Sequence, residues 1–436
     1  MSSATDLDLV EFNEWLEGYI NFERKPETRM FRLETIQILC EALRHPEKAC
    51  PCFHVAGSKG KGTISANIAA ILREAGYKTG VLMSPHVSHF VERVGTGEKP
   101  FVQEIYDQAF RELKTAVEKL IAGKVLTKDN VSWFELTTTF AMLCFRAAKV
   151  DFAVFEVGMG GRLDATNIIE PLACAFGPIE LEHTKILGNN LEDIALEKAG
   201  IIKTHVPCVS SPQKEVVKKV LEKVAEEHDA EIVFVRDEGD YLTQDARIAQ
   251  IAVQKVLPEI SDEICARGAE KVNLPGRFEK ILGVLDIPYI LIDVAHTENS
   301  VEKVLARMKK EGVEGKLLFG CGKDKNVEAM ARKISESEIF SEIFLTKPGD
   351  FKKSDLEKMH ETFVKYAGKT KIVADQNYRA FIPEVLEKMS NEKCPLIVLG
   401  SFYLAGEVKK IIGKIEEYEH QTKKDVLSAR AFCTIE

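Results

Sequence analysis

No apolar run in this chain reaches the roughly 18 to 20 residues that a membrane span requires. The amino-terminal stretch MSSATDLDLVEFNEWLEGYI carries no early lysine or arginine and sets acids among its apolar positions, which argues against a secretory leader. A block of basic residues is also lacking: 59 Lys and Arg stand against 68 Asp and Glu, a formal net charge of -9. A binder of nucleic acid or of an anionic membrane needs a concentrated positive footprint, so neither partner is expected. Among the ten cysteines there is no CxxC pair and no Cys/His cluster of zinc spacing, and they read as reduced thiols of a cytoplasmic protein. Low-complexity tracts and short-period repeats are absent.

What is present is a chain of 436 residues, 45% hydrophobic and 29% charged, the composition of a globular enzyme and too long for one ordinary core. Leu9, Phe12, Leu16 and Tyr19 follow helical spacing and predict an amphipathic opening helix. Strand-like and helix-like stretches then alternate, the pattern of an α/β fold with mostly parallel sheets. FHVAG (53–57), TGVLM (79–83) and FAVFEV (152–157) read as strands, and residues 63–76, 134–149 and 190–200 as helices. The alternation restarts after about residue 275 with YILID, KLLFG, EIFLT, KIVA and PLIVLG. LPGRFEK (274–280), with its Pro-Gly breaker, is the expected linker. The expected architecture is a parallel-sheet, P-loop NTPase-like domain over 1–275 and a smaller Rossmann-like α/β domain over 276–436.

Residues 56–63, AGSKGKGT, nearly spell the phosphate loop G-x-x-x-x-G-K-[ST]. Ala56 stands where the first glycine would fall, and Gly62 is wedged between Lys61 and Thr63. The chemical parts survive the change of spacing. A predicted strand runs into a predicted helix, whose first N–H groups and dipole favour an anion. Gly57, Gly60 and Gly62 let the backbone wrap phosphate oxygens, Lys61 can neutralise phosphate charge, and Thr63 offers a hydroxyl to Mg²⁺. A solvated glycine-rich turn is the bland alternative. Other stretches could complete a metal-nucleotide site, which needs hard oxygen ligands and more than one cation: SPHVSHFVERV after the second strand, EVGMGGRLDATN closing a buried strand, and EHTKILGNNLEDIALEKAGIIK, which brings Glu182, His183 and Lys198. Singly, each also reads as a strand cap, a core histidine or a solvated helix end.

Taken in order with FELTTTFA, LPGRFE, DVAHTEN and GSFYLAGEV, these motifs resemble the folylpolyglutamate synthase and dihydrofolate synthase family of the Mur ligase superfamily, from about residue 30 to 410. That family's loop has the form G-[TS]-x-G-K-G-[ST], in which the extra glycine is regular. The resemblance implies a ligase that phosphorylates a carboxylate with MgATP and lets the amine of L-glutamate displace phosphate, in a cleft between two domains. It further implies that Gly57, Ser58, Lys59, Gly60, Lys61, Gly62 and Thr63 bind the triphosphate. Thr63, Ser84 and Glu156 would hold one Mg²⁺ and His183 a second, beside an N-carboxylated Lys198. Arg277 would reach the phosphates and Asp293 the ribose. Phe134, Gly158, Arg162 and Asp164 would face the pterin-bearing substrate, and His296 and Ser401 the incoming glutamate. Lys61, Lys198, His183 and Arg277 would carry catalysis. The implied substrates are a folate or dihydropteroate, L-glutamate and ATP, with a monomeric protein as the expected state.

The chain departs from the family pattern in places. Asp-His becomes Glu182-His183, Asp-Gly-Ala-His-Asn becomes Asp293-Val294-Ala295-His296-Thr297, and Asp-Lys-Asp becomes Asp324-Lys325-Asn326. Arg247 falls where an adenine-contacting Asn is usual, and 201–274 reads as short of strands. Three readings stay open at this point: a folate-directed glutamate ligase, a Mur-type ligase acting on a nucleotide-linked sugar, and a degenerate nucleotide-binding regulatory protein. The absence of a further nucleotide-sugar domain before residue 53 disfavours the second.

Overall fold

The computed structural model describes residues 9–21 and 32–415. Two compact units divide between Val272 and Asn273, and each carries its own sheet. In the first, β1 (Cys52–Ala56), β2 (Thr79–Leu82), β3 (Val94–Gly95), β4 (Phe152–Glu156), β5 (Ala173–Phe176), β6 (Cys208–Ser210) and β7 (Ile232–Phe234) order as β3-β2-β4-β1-β5-β6-β7. Every pairing is parallel except β2 with β3. The predicted strands and helices of this unit lie where the sequence put them, within about two residues. Residues 201–274 depart from expectation: they contribute β6 and β7, two three-residue strands. Runs so short give little alternation to read.

Side chains of a strand alternate between faces, and here both faces are covered. Phe53, Val55, Val81, Phe152 and Val154 pack against Ile64, Ile68 and Ile71 of the helix Lys61–Glu74 and against Ile248, Ala252 and Val253 of the helix Tyr241–Val256. Leu82, Ala153 and Phe155 face Phe140 and Phe145 of the helix Trp133–Ala148, behind which lie Phe12 and Leu16 of the opening helix Val10–Leu16. Such two-sided burial explains why the strands read as continuous apolar runs. Parallel strands send all their following loops to one edge, the carboxyl edge where α/β folds bind ligands.

The second unit orders β8 (Glu279–Ile281), β9 (Ile290–Ile292), β10 (Gly315–Phe319), β11 (Phe340–Leu345), β12 (Lys371–Ala374) and β13 (Leu396–Leu399) as β12-β11-β10-β13-β9-β8. All pairings are parallel except β8 with β9. Leu317, Phe319, Ile343, Ile397 and Leu399 pack against Val301, Val304, Met330 and Phe363 from flanking helices. At the amino edge Glu342, nearly buried, receives Lys316 at 2.7 Å, Lys388 at 2.7 Å and Lys371 at 2.9 Å.

Among the described residues no helix is long and apolar enough to cross a membrane. The nine cysteines they contain are free thiols; Cys433 lies outside them. Burial pushes the Cys40 and Cys52 thiols far up and that of Cys321 to about 12, so they are inert at neutral pH.

Candidate active site

The loop 57–60 leaves β1 and enters the helix Lys61–Glu74 through Gly60, whose φ of 78° is left-handed, a conformation open to glycine at no steric cost. The loop is tied to the chain leaving β5. The N–H groups of Ser58 and Lys59 donate to the Pro178 carbonyl at 2.9 and 3.2 Å. The Ser58 hydroxyl donates to the Glu180 carbonyl and accepts from the Glu180 N–H, both at 3.0 Å.

Lys61 donates its Nζ to the Gly57 carbonyl at 3.0 Å, and Lys198, from the helix Leu191–Ala199, donates to the same oxygen at 2.9 Å. Lys198 is 1% exposed, and an isolated ammonium so placed would be costly. Glu182 offsets that cost with an ion pair at 2.8 Å. Burial, with Lys61 adding to it, still brings the Lys198 ammonium down to about 8 against the upward pull of Glu182. Glu182 answers in kind: burial raises it, but Lys198 and Lys61 outweigh that and hold it at about 2. The longer acid that replaces the family's Asp thus serves as the counter-ion of Lys198.

Glu156 closes β4 at 3% exposure. Its Oε2 accepts from the Ser84 N–H at 3.0 Å and lies 3.7 Å from where a β-carbon on Gly62 would stand. A buried carboxylate therefore faces the first turn of the helix that Thr63 also occupies. Glu156, Thr63 and Ser84 are oxygen donors of the kind Mg²⁺ takes, and this donor set fits the ion. His183 is exposed, left-handed at φ 47°, and opens a short helix Thr184–Leu187. Among the described residues no three of His, Cys, Asp and Glu gather as a ready metal cluster.

Around these groups lie the residues expected to face an acceptor. A β-carbon on Gly158 would come within 2.6 Å of the Phe134 ring, so ring and loop are in contact. Arg162 is exposed and pairs with Glu197 at 2.7 Å. Asp164 behaves unlike a surface contact: it is 1% exposed, and its carboxylate accepts from Thr166 and from the Met159 N–H. Its observed bonds hold the loop rather than reach outward.

The second unit places its expected residues at the carboxyl ends of β9 and β13. Asp293 is buried, with one oxygen accepting from the Phe278 N–H and the other from the Ala295 N–H, both at 2.8 Å. Burial raises its pKa against the pull of Arg277. These bonds make it a bracket between two chain segments. The Arg277 cation lies 4.8 Å over the Phe402 ring, and the His296 ring centre is 6.0 Å from the same ring. His296 Nδ1 donates to the Val294 carbonyl at 2.8 Å, and Ser401 Oγ accepts from the Tyr403 N–H at 3.1 Å. Two departures from the family pattern have local explanations. Thr297 caps the helix Glu298–Glu311, and Asn326 caps the helix Val327–Glu336, a role open to Thr, Asn and Asp alike.

Arg247, which falls where an adenine-contacting Asn is usual in the family, lies on the helix Tyr241–Val256. It is exposed and bonds Gln250 at 2.9 Å, whereas Asp245, two residues earlier on the same helix, is buried with its carboxylate 2.6 Å from where a β-carbon on Gly60 would be. A helix advances 100° per residue, so residues two apart point to nearly opposite sides.

The Mur ligase middle domain matches residues 55–280, more than half of the chain, and the Mur ligase glutamate ligase domain matches 276–402. A dihydrofolate synthase/folylpolyglutamate synthase of Bacillus subtilis is 31% identical over 91% of this chain and 97% of the relative. The chain belongs to the folylpolyglutamate synthase/dihydrofolate synthase family of Mur ligases. A folylpolyglutamate synthase of Lacticaseibacillus casei is 28% identical over 86% of this chain and 93% of its own length. In fold, the chain superposes on a Mycobacterium tuberculosis folylpolyglutamate synthase, solved with ADP and AMPPCP, with a TM-score of 0.79 at 24% identity, covering 93% of this chain and 98% of the other. Family membership accounts for the wedged Gly62 and for the order of the motifs along both units.

Proposed function

We propose that this protein ligates L-glutamate to a folate at the expense of ATP, through an acyl phosphate. The observation that carries the reading is the convergence of Lys61 and Lys198 on the Gly57 carbonyl, inside a glycine loop faced by Glu156, in a chain of this family. A carboxylate is a poor electrophile. Attack of its oxygen on the γ-phosphorus, with departure of ADP, turns it into a mixed anhydride. The glutamate amine then adds to the acyl carbon, phosphate leaves with the bonding pair, and the amine loses its proton. Catalysis of both steps is positioning and charge stabilisation. Lys61 and the N–H groups of the first turn of its helix would hold the phosphates, with Arg277 proposed for phosphate and His296 and Ser401 for the incoming amino acid. Thr63, Ser84, Glu156 and His183 would hold Mg²⁺, which supplies charge neutralisation on the phosphates when bound.

Lys198 fits N-carboxylation. At about 8 its pKa leaves a fraction of neutral amine near pH 7.5, and the amine lone pair can add to CO₂ with loss of one proton to give a carbamate. That converts a buried cation into an anion bearing two oxygens, suited to divalent ions.

The direct test is incorporation of labelled glutamate by the purified protein with MgATP and either dihydropteroate or tetrahydrofolate as acceptor. Transfer to one or both with stoichiometric ADP release is expected. Nucleotide binding without transfer to either would overturn the reading in favour of a regulatory protein.

A further inference from the structure

His54 sits in the middle of β1 at 0% exposure, between Phe53 and Val55, where an apolar side chain would pack without cost. Its Nε2 lies 2.8 Å from the Thr166 hydroxyl. That hydroxyl lies 2.7 Å from Asp164 Oδ1, which also takes the Thr166 N–H at 3.1 Å, while Asp164 Oδ2 takes the Met159 N–H at 3.0 Å. The direction of every proton in this chain follows from donor counting. An ionised carboxylate only accepts, so the single hydroxyl proton of Thr166 points at Asp164. The hydroxyl oxygen must then accept from His54, which fixes the proton of His54 on Nε2 and leaves Nδ1 as a bare lone pair. Nδ1 is indeed buried with no hydrogen-bond partner.

A buried orphan acceptor costs stability, and a strand that tolerates one gains something else. What it gains is reach. The three side chains run from the sheet core to the backbone of Met159, in the loop that leaves β4 through Gly158 and ends at Asp164. Asn167, next to Thr166, ties the same loop from behind by donating to the carbonyls of Arg162 and Gly200 at 2.9 and 3.0 Å. We propose that His54, Thr166 and Asp164 form a buried hydrogen-bonded relay that sets the position of the loop 158–162 for the acceptor, making His54 and Thr166 positioning residues for acceptor binding. The proposal rests on the folate-ligase reading, in which this loop and Phe134 face the pterin-bearing substrate. Burial, with Lys203 adding to it, brings the His54 imidazole down to about 3, so the relay holds one protonation state across the working pH range.

Thr166→Val keeps the shape of the side chain and removes the hydroxyl. It should raise KM for the folate acceptor by about tenfold, leave the Kd for ADP within about twofold and change kcat less than KM; Thr166→Ser should restore the acceptor KM to within about threefold. His54→Phe should reproduce the loss. Nitrogen NMR of the histidines in the wild-type protein provides a readout free of activity and of variant folding: His54 should be the Nε2–H tautomer and should not titrate between pH 5 and 9. An unchanged acceptor KM in Thr166→Val, an equal weakening of ADP and acceptor, or an Nδ1–H or titrating His54 overturns the relay. Failure of the wild-type protein to transfer glutamate to any folate would instead sink the ligase reading beneath it.

Discussion

Lys61 and Lys198 donate to one oxygen, the carbonyl of Gly57, at 3.0 and 2.9 Å. Both nitrogens are therefore within about 6 Å of each other, and at an effective dielectric near 20 their repulsion is on the order of 3 kcal/mol. Glu182 offsets part of it. In the amine form the two ammoniums store attraction for an anion, which carboxylation of Lys198 would leave to Lys61 alone.

Removal of one of them isolates that contribution. Lys61→Ala should lower glutamate incorporation by at least about 100-fold, because the loop lysine supports charge on the transferring phosphoryl group. Its side chain is only half-buried and bonds the Gly57 carbonyl, so the thermal midpoint should shift by no more than about 2 °C. Near wild-type turnover would make the loop structural.

Lys198 should behave differently. Lys198→Ala should lose most activity and regain part of it in acetate, since a small carboxylate can occupy the vacated space and mimic the carbamate. Lys198→Arg should stay inactive in acetate because the guanidinium keeps its charge and fills the cavity. Full activity of the arginine variant would remove the case for a carbamate.

Titrating Mg²⁺ against activity tests the ligand set. Glu156→Ala and His183→Ala should each raise the Mg²⁺ concentration for half-maximal activity, by about tenfold or more for the buried Glu156, which faces the helix terminus, and by less for the exposed His183. Unchanged dependence in both variants would show that neither holds the ion.

Glu342 gives a prediction in pH. Burial raises its pKa, but hydrogen bonds and charge from Lys316, Lys388 and Lys371 outweigh that and hold it at about 2. A carboxylate lowered from its ordinary value near 4.5 stabilises the fold above that value, and the contribution is lost as pH falls from about 4.5 to about 2. Glu342→Gln should thus destabilise the second unit at pH 7 by on the order of 2 kcal/mol, and the gap from wild type should narrow as pH falls below about 4.5 and close only toward pH 2. Thermal unfolding of both proteins across this pH range reads this directly; a gap independent of pH would mean that the side chain matters only for its shape.

What the sequence disclosed and what it hid divide by distance along the chain. The glycine loop and the strands around it are local patterns, so spacing alone placed them. The Lys198 contact with Gly57 spans 141 positions and His54 with Thr166 spans 112; nothing in a linear pattern says that a strand histidine and a loop threonine share a proton. Asp245 was missed because helical register decides which of two neighbours two residues apart meets Gly60. Asp293 was assigned to the ribose, and the bonds its carboxylate takes from the Phe278 and Ala295 N–H groups were not legible in the sequence. Thr297 and Asn326 each cap a helix, and a substitution within the Ser/Thr/Asn/Asp set changes the letter and keeps the cap.

The two-way bond between Ser58 and Glu180 has a kinetic meaning. Together with the bonds of Ser58 and Lys59 to Pro178, it continues the β1–β5 ladder beyond the last residue of either strand, using a hydroxyl where a peptide group would normally serve. Amide protons of Ser58 and Lys59 should then exchange with solvent chiefly when the two strands part. On the timescale of exchange this stretch of the phosphate loop belongs to the sheet: it opens when the centre of the fold opens, and a nucleotide arriving between such events meets a surface already in place.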